Sequence, residues 1–251
     1  MLSWSQQRKF FWVGGVVLIL AVVFSAYGVF TFYNPPDCFN GSKDGDERGV
    51  DCGGGCARAC KADTVPPVVQ FARAVEVAEG VWGAVAYLEN KNTGVGARDV
   101  PYVFKLYDED NLLLYERHGA TFIPPRKSFA VFEGKMLSGD RVPTRASFKF
   151  LQEPIFLRTE EPELVVTTRG FTTDARSSSL QAMVTNPSSD LVEGIEATAL
   201  LFGPDGNVTA ASATRISRLE GRAGAMLVFT WPQVLEDPSR IEVLYTVPGR
   251  D

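Results

Sequence analysis

Histidine is nearly missing from this chain, with His118 its single copy. One histidine excludes the paired-histidine metal helix. In Arg117-His118-Gly119-Ala120 it reads as a solvated loop or strand-end residue, with no identifiable partner to make it a general base. No Gly-x-Ser-x-Gly elbow, phosphate loop or Gly-x-Gly-x-x-Gly occurs, so hydrolase and nucleotide-binding readings lose their usual motifs. Positive charge is scarce as well. The 25 Lys and Arg are dispersed as on a solvated face and are outnumbered by 30 Asp and Glu, for a net charge of −5. Without a basic field to neutralise phosphates, nucleic acid is not expected as a partner. Cysteine is absent from the long C-terminal part, and all four copies, Cys38, Cys52, Cys56 and Cys60, fall in one short stretch.

What the chain does have, first of all, is one uninterrupted run without a charge, Phe10 to Tyr33. As a helix rising about 1.5 Å per residue it reaches roughly 36 Å, enough to cross a hydrocarbon core of about 30 Å. Arg8 and Lys9 precede the run, and Asp37, Asp44, Asp46 and Glu47 follow it, so the positive-inside bias places the N-terminus in the cytoplasm. Trp4, Phe10, Phe11 and Trp12 at one end, and Tyr27, Phe30, Phe32 and Tyr33 at the other, suit the two interfaces as aromatic belts. Ala21 and Ser25 form a small-xxx-small pair, with a lipid-facing position its expected use. The competing reading is a cleaved signal sequence with Val23 and Ser25 as the small-residue signal. Such a cut would leave Tyr27 to Tyr33 as a greasy new N-terminus, which favours an uncleaved anchor.

The cysteine stretch is crowded with Gly and Asp, from Asn40-Gly41 through Asp44-Gly45-Asp46-Glu47 to Gly53-Gly54-Gly55. It has almost no apolar surface to bury, so it must be stapled, and two disulfides in an oxidising compartment would do so. Four cysteines allow three connectivities, and spacing does not separate them. A four-cysteine zinc site usually shows two close pairs, a pattern missing here. The acids Asp44, Asp46, Glu47 and Asp51 raise calcium as a ligand, but their spacing departs from an EF-hand loop and lacks its closing Glu, so a solvated acidic turn is the expectation.

From Val68 onward apolar and polar residues alternate with period two between Gly, Pro, Asn and Asp breaks, which predicts short half-buried strands. Val81 to Leu88 runs into Asn90, Tyr102 to Tyr107 ends at Asp108-Glu109-Asp110-Asn111, and Phe129 to Phe132 follows Leu112 to Tyr115. Leu180 to Val184 likewise runs into Asn186-Pro187, Ile195 to Phe202 ends at Gly203-Pro204-Asp205-Gly206, and Met226 to Phe229 follows. Asn90 to Asn186 is 96 positions, Tyr107 to Phe202 is 95 and Phe132 to Phe229 is 97. A near-constant offset of that length predicts a duplicated domain, each copy the size of an immunoglobulin-like sandwich. The stretch from Gln152-Glu153-Pro154 to Glu163 is the expected linker. Trp82 and Trp231 are expected as core or edge aromatics. Asn40-Gly41-Ser42 and Asn207-Val208-Thr209 match the glycosylation sequon, a short and common pattern.

Two resemblances add to this reading. Phe104-Lys105-Leu106-Tyr107-Asp108, with the upstream strand ending in Asn90 and the later Ile123-Pro124-Pro125 turn, resembles the FxLYD-type domain, a small bacterial extracytoplasmic β-sandwich. The second half departs from it, with Ala199-Leu200-Leu201-Phe202-Gly203 at the corresponding place. Cys38, Asn40-Gly41, Gly45-Asp46-Glu47 and Gly49-Val50-Asp51-Cys52-Gly53-Gly54, closed by Cys56 and Cys60, are similar to a short motif of bacterial surface proteins. Both imply export; neither transfers a catalytic residue.

The expected architecture is all-β, two tandem immunoglobulin-like sandwiches after a transmembrane helix. Residues 1–9 are cytoplasmic, 10–33 the span, 34–64 the cysteine-rich segment, 65–155 the first sandwich and 156–251 the second. The expected function is a non-catalytic, cofactor-free interaction or structural module of the bacterial envelope. It is held by one membrane span and recognises a protein partner through edge strands or loops. The alternative is an envelope enzyme or enzyme subunit with carboxylate acid/base chemistry, which requires a concave pocket where two perturbed acids converge.

Overall fold

The computed structural model describes residues 4–32, 36–138 and 141–248. The chain divides into two compact units, Met1–Gly54 and Gly55–Asp251. The first opens with helix α1, Trp4–Phe32. Its apolar part, Arg8–Gly28, has a mean hydropathy of 2.3. Phe10, Leu18 and Phe24 are all well exposed on a helix that has no polar face, so its sides match hydrocarbon, not water. The 21 residues of Arg8–Gly28 reach about 32 Å at the usual rise. Tyr33, the last residue of the expected span, lies outside the described residues.

The rest of this unit is a loop closed by its own polar groups. The Gly41 N–H donates to both carboxylate oxygens of Asp51, at 3.0 and 3.1 Å, and the Asn40 amide donates to Asp44 at 2.6 Å. Gly54 has φ +56, and any side chain there would collide with the Asp46 carbonyl, so glycine is required twice over.

The second unit is built of strands. These are β1 (Val68–Ala78), β2 (Val81–Asn90), β3 (Val95–Tyr107), β4 (Leu113–Ile123), β5 (Lys127–Ser138), β6 (Arg145–Phe150) and the two-residue β7 (Leu157–Arg158). Then come β8 (Val165–Thr173), β9 (Ser178–Thr185), β10 (Val192–Phe202), β11 (Val208–Leu219), β12 (Gly224–Trp231) and β13 (Arg240–Thr246). Strand accounts for 52% of the chain and helix for 12%, so the protein is mostly β. In the first lobe one sheet has the order β1-β2-β5 and the other β4-β3-β6, with β7 paired to the start of β3. Tyr102, Phe104 and Leu106 alternate inward along β3. There Phe148 stacks on Tyr102 at 5.2 Å and meets Phe104 edge-on at 5.0 Å. The second lobe repeats the order, with β8-β9-β12 against β11-β10-β13. Trp231 is buried in its core, and its indole N–H donates to the Ala211 carbonyl at 3.0 Å.

A third apolar cluster lies on the outer faces. Phe71, Val75, Val85, Tyr87 and Phe132 of the β1-β2-β5 sheet meet Leu200, Phe202, Val208 and Ala211 of the β11-β10-β13 sheet. The four sheets therefore stack in layers, and the two inner sheets are covered on both sides. This corrects the expectation of half-buried strands for β2 and β10. Val85 and Leu200 face away from their own lobe's core, yet neither is exposed to solvent. Strands covered on both faces read as continuous apolar runs, as Val81–Leu88 and Ala199–Phe202 do.

The two lobes also share a detail. Asn90, at the end of β2, is buried, donates to the Val95 and Pro124 carbonyls at 3.1 and 2.8 Å, and accepts from the Asn92 N–H at 3.1 Å. Asn186, just after β9, donates to the Asp190 and Glu220 carbonyls at 2.7 and 3.3 Å and accepts from the Ser188 N–H at 3.1 Å. Each asparagine thus pins its own turn to a carbonyl 34 positions downstream. The starts of β1 and β8, of β2 and β9, of β3 and β10 and of β5 and β12 are each 97 positions apart.

Candidate functional site

All four cysteines are in disulfides, so no thiolate remains for the rival zinc reading. Cys56 and Cys60 belong to the second unit, where they flank Ala57–Ala59, which makes an isolated β-bridge. The Ala59 N–H donates to the Phe156 carbonyl at 2.9 Å and the Arg158 N–H to the Ala57 carbonyl at 2.7 Å, and Arg58 pairs with Leu157. Ala59 also packs on the first lobe's core. The end of the cysteine stretch is thereby bonded into the segment between the lobes, with Lys61 and Glu153 in an exposed ion pair at 2.5 Å. In the acidic turn, buried Glu47 accepts from the Asp44 and Asp51 N–H groups at 3.4 and 3.2 Å.

His118 is largely exposed and lies 2.7 Å from Glu116, which also meets Lys105 at 2.8 Å. The hydrogen bonds from Lys105 and His118 hold the Glu116 carboxyl below the usual carboxylate range. Hydrogen bonds from Arg176 and Ser177 do the same for Asp174, and those from Asn207 for Asp205. These carboxylates order local turns and strand surfaces.

The side chains that converge do so at the seam between the lobes. Lys127, the first residue of β5, sends its ammonium 3.6 Å from the centroid of the Tyr245 ring and 2.8 Å from Glu161 Oε2. The ammonium sits off the line that a well-formed hydrogen bond to that oxygen requires. The other Glu161 oxygen accepts from the Val247 N–H at 2.9 Å, and the Tyr245 hydroxyl accepts from the Leu164 N–H at 2.9 Å. The Glu161 side chain is 6% exposed and that of Lys127 24%. Burial pushes the Lys127 pKa down and the Glu161 pKa up, and the opposite charge of each partner opposes the shift. Three further bonds cross the seam: Tyr87 hydroxyl to Glu242 at 2.8 Å, Arg73 to the Asn207 amide oxygen at 2.6 Å, and the Gln233 amide to the Glu76 carbonyl at 3.0 Å.

Along one side the seam opens into a cleft of about 360 Å³, walled by β4 and β5 of one lobe and by β10, β11 and β13 of the other. Glu196 and Arg215, both exposed, are ion-paired in its lining. Tyr102 lines the opposite wall and donates its hydroxyl proton to Glu133 Oε1 at 2.7 Å. Burial, then the bond to Glu133, push the Tyr102 pKa well above its ordinary value. Gly119 on β4 makes room for this ring; a Cβ there would lie 2.5 Å from the tyrosine Cζ.

Of these seam residues only Asn207, as a glycosylation sequon, was singled out in the sequence for a role. Lys127 is one of the dispersed basic residues, and Glu161 sits in the expected linker. Tyr102 appeared only as the start of an expected strand, and it also belongs to the first lobe's core. Trp231 is in the core and Trp82 packs against the first lobe's core, as expected of strand aromatics. The Asn207 side chain is engaged by Arg73, and Asn40 by Asp44.

No protein-family model and no curated protein matches the chain. Among solved structures, red sea bream transglutaminase is similar at a TM-score of 0.23 and 11% identity, over 75% of this chain and 32% of that one. A Bacteroides uniformis beta-glucuronidase is similar at 0.22 and 14%, over 62% and 22%. The chain spans a third or less of the length of these two proteins, and at such scores the likeness carries no inference about activity.

Proposed function

We propose that the chain is a single-pass membrane protein of the bacterial envelope. In this reading its N-terminus is cytoplasmic, and a disulfide-stapled segment and two tandem immunoglobulin-like sandwiches of the FxLYD type lie outside. It works as a non-catalytic interaction or structural module with a protein partner. The observation that carries the reading is the pairing of an all-round apolar helix, preceded by Arg8 and Lys9, with cysteines that are all oxidised. Thiols stay reduced in a cytosol, so oxidised cysteines after the helix fit export. The repeated strand order and the two equivalent asparagine clamps support a duplicated domain whose second copy has drifted at Ala199–Gly203. The apolar seam, crossed by the Lys127–Glu161 pair, supports one rigid two-lobed body that displays its outer sheets and edge strands to a partner.

Protease added to intact spheroplasts tests the topology. Residues 55–251 are expected to be digested while an N-terminal tag stays intact; survival of the C-terminal lobes until the membrane is lysed would refute it.

A further inference from the structure

The lining of the seam cleft includes Phe132 and the small residues Ala120, Ala130 and Ala213. We propose that this cleft binds a short neutral saccharide. Its volume of about 360 Å³ falls in the range of small-molecule sites, which form preferentially at junctions of this kind.

The chemistry of the lining selects the ligand. On β10 and its neighbours Glu196 lies in one row with Arg215 and Thr246, and Thr198 in an adjacent row with Ala213. This wall thus offers a carboxylate acceptor, a guanidinium donor and threonine hydroxyls that do either. Across from them the Tyr102 proton is committed to Glu133, so the phenol oxygen keeps a lone pair free to accept. Each charge already has its opposite, Glu196 with Arg215 and Glu133 with Arg117 at 3.7 Å. With each charge already beside its opposite, an ionic ligand would meet little net field here. A polyol exchanges hydrogen bonds with both members of a pair and separates neither. The alanines and Phe132 leave an apolar surface for the C–H face of a sugar ring.

The proposal deepens the reading of the chain as an interaction module by naming a ligand class. Its failure is separable, because the cleft lies wholly within residues 55–251 and membrane topology is not what the experiment reads. The full chain in lipid nanodiscs, free of sugar-headed detergent, is tested by saturation-transfer NMR with maltose, cellobiose and N,N′-diacetylchitobiose in turn, up to about 10 mM. At least one sugar is expected to bind with a Kd near 1 mM or below, an ordinary affinity for a small shallow site. Ala213→Leu puts an isobutyl group into the cleft from an exposed strand position and is expected to weaken binding at least tenfold. Thr246→Val, which removes one hydroxyl at nearly constant volume, is expected to weaken it severalfold and serves if the leucine variant does not fold. Absence of transfer to all three sugars overturns the proposal. So does binding that survives in the folded variants, or competition by millimolar glycine, which would mean a zwitterion site.

Discussion

The Lys127–Glu161 pair is a charge pair held at a joint, and removing one partner should hurt far more than removing both. In Lys127→Met the Glu161 carboxylate, 6% exposed, keeps the 2.9 Å bond from Val247 but loses its counter-charge. Stranding a buried charge costs about 3–5 kcal/mol. Glu161→Gln leaves the ammonium with only the Tyr245 ring and should cost a similar amount at neutral pH, less whatever solvent its partial exposure admits. The double variant removes both desolvation penalties, and glutamine can still accept from Val247. It is expected within about 1 kcal/mol of the parent, so the coupling in a double-mutant cycle is at least about 3 kcal/mol. Denaturant unfolding of the full chain in nanodiscs, followed by tryptophan fluorescence, supplies the four stabilities. The Lys127→Met variant should also recover on acidification. With the lysine gone, the Glu161 pKa in the folded state, already raised by burial, rises further above its unfolded value. In that window the folded state binds more protons than the unfolded one, so stability is greatest below the unfolded carboxylate range, about pH 4.3, and is lost as pH climbs through the folded pKa. Singles that each cost under about 1 kcal/mol and simply add, or a lysine variant whose stability rises with pH across that window, would refute the claim that the pair is buried and coupled.

The remaining predictions concern parts of the fold that a single side chain controls. Asn90→Ala and Asn186→Ala each leave two carbonyls and one N–H without their clamp, so each should cost about 2–4 kcal/mol in thermal unfolding. Values that differ severalfold between the lobes would contradict the equivalence of the clamps. Gly119→Ala drives a methyl group against Tyr102 and should cost about 1–3 kcal/mol. Tyr102→Leu in the same chain should restore part of that, whereas additive losses would show that the strand backbone, not the ring, is responsible.

How much of this was legible beforehand depends on how local each signal is. The helix followed from one uncharged run, although it starts at Trp4 and carries Arg8 and Lys9, because a helix needs no apolar residue to continue. The strands from Val81 to Phe229 were marked by alternation and by breaks at Asn, Gly and Pro, and the offset between Asn90 and Asn186 is the spacing of two real clamps. The stacking of the inner sheets was not legible. An apolar run such as Val81–Leu88 signals cover on both faces without saying what provides it. Lys127 and Glu161 are 34 positions apart, and nothing near either marks it as buried. Ala57–Ala59 is too short to show a strand period, so the bonding of the cysteine stretch to the first lobe was invisible.

The most direct test of export is the oxidation state of the cysteines in living cells. Cells quenched in acid and treated with a maleimide of high mass should give unlabelled protein, with Cys38, Cys52, Cys56 and Cys60 all taking up label only after a reductant is added. Label on these thiols before reduction would place the segment in a reducing compartment and contradict the account.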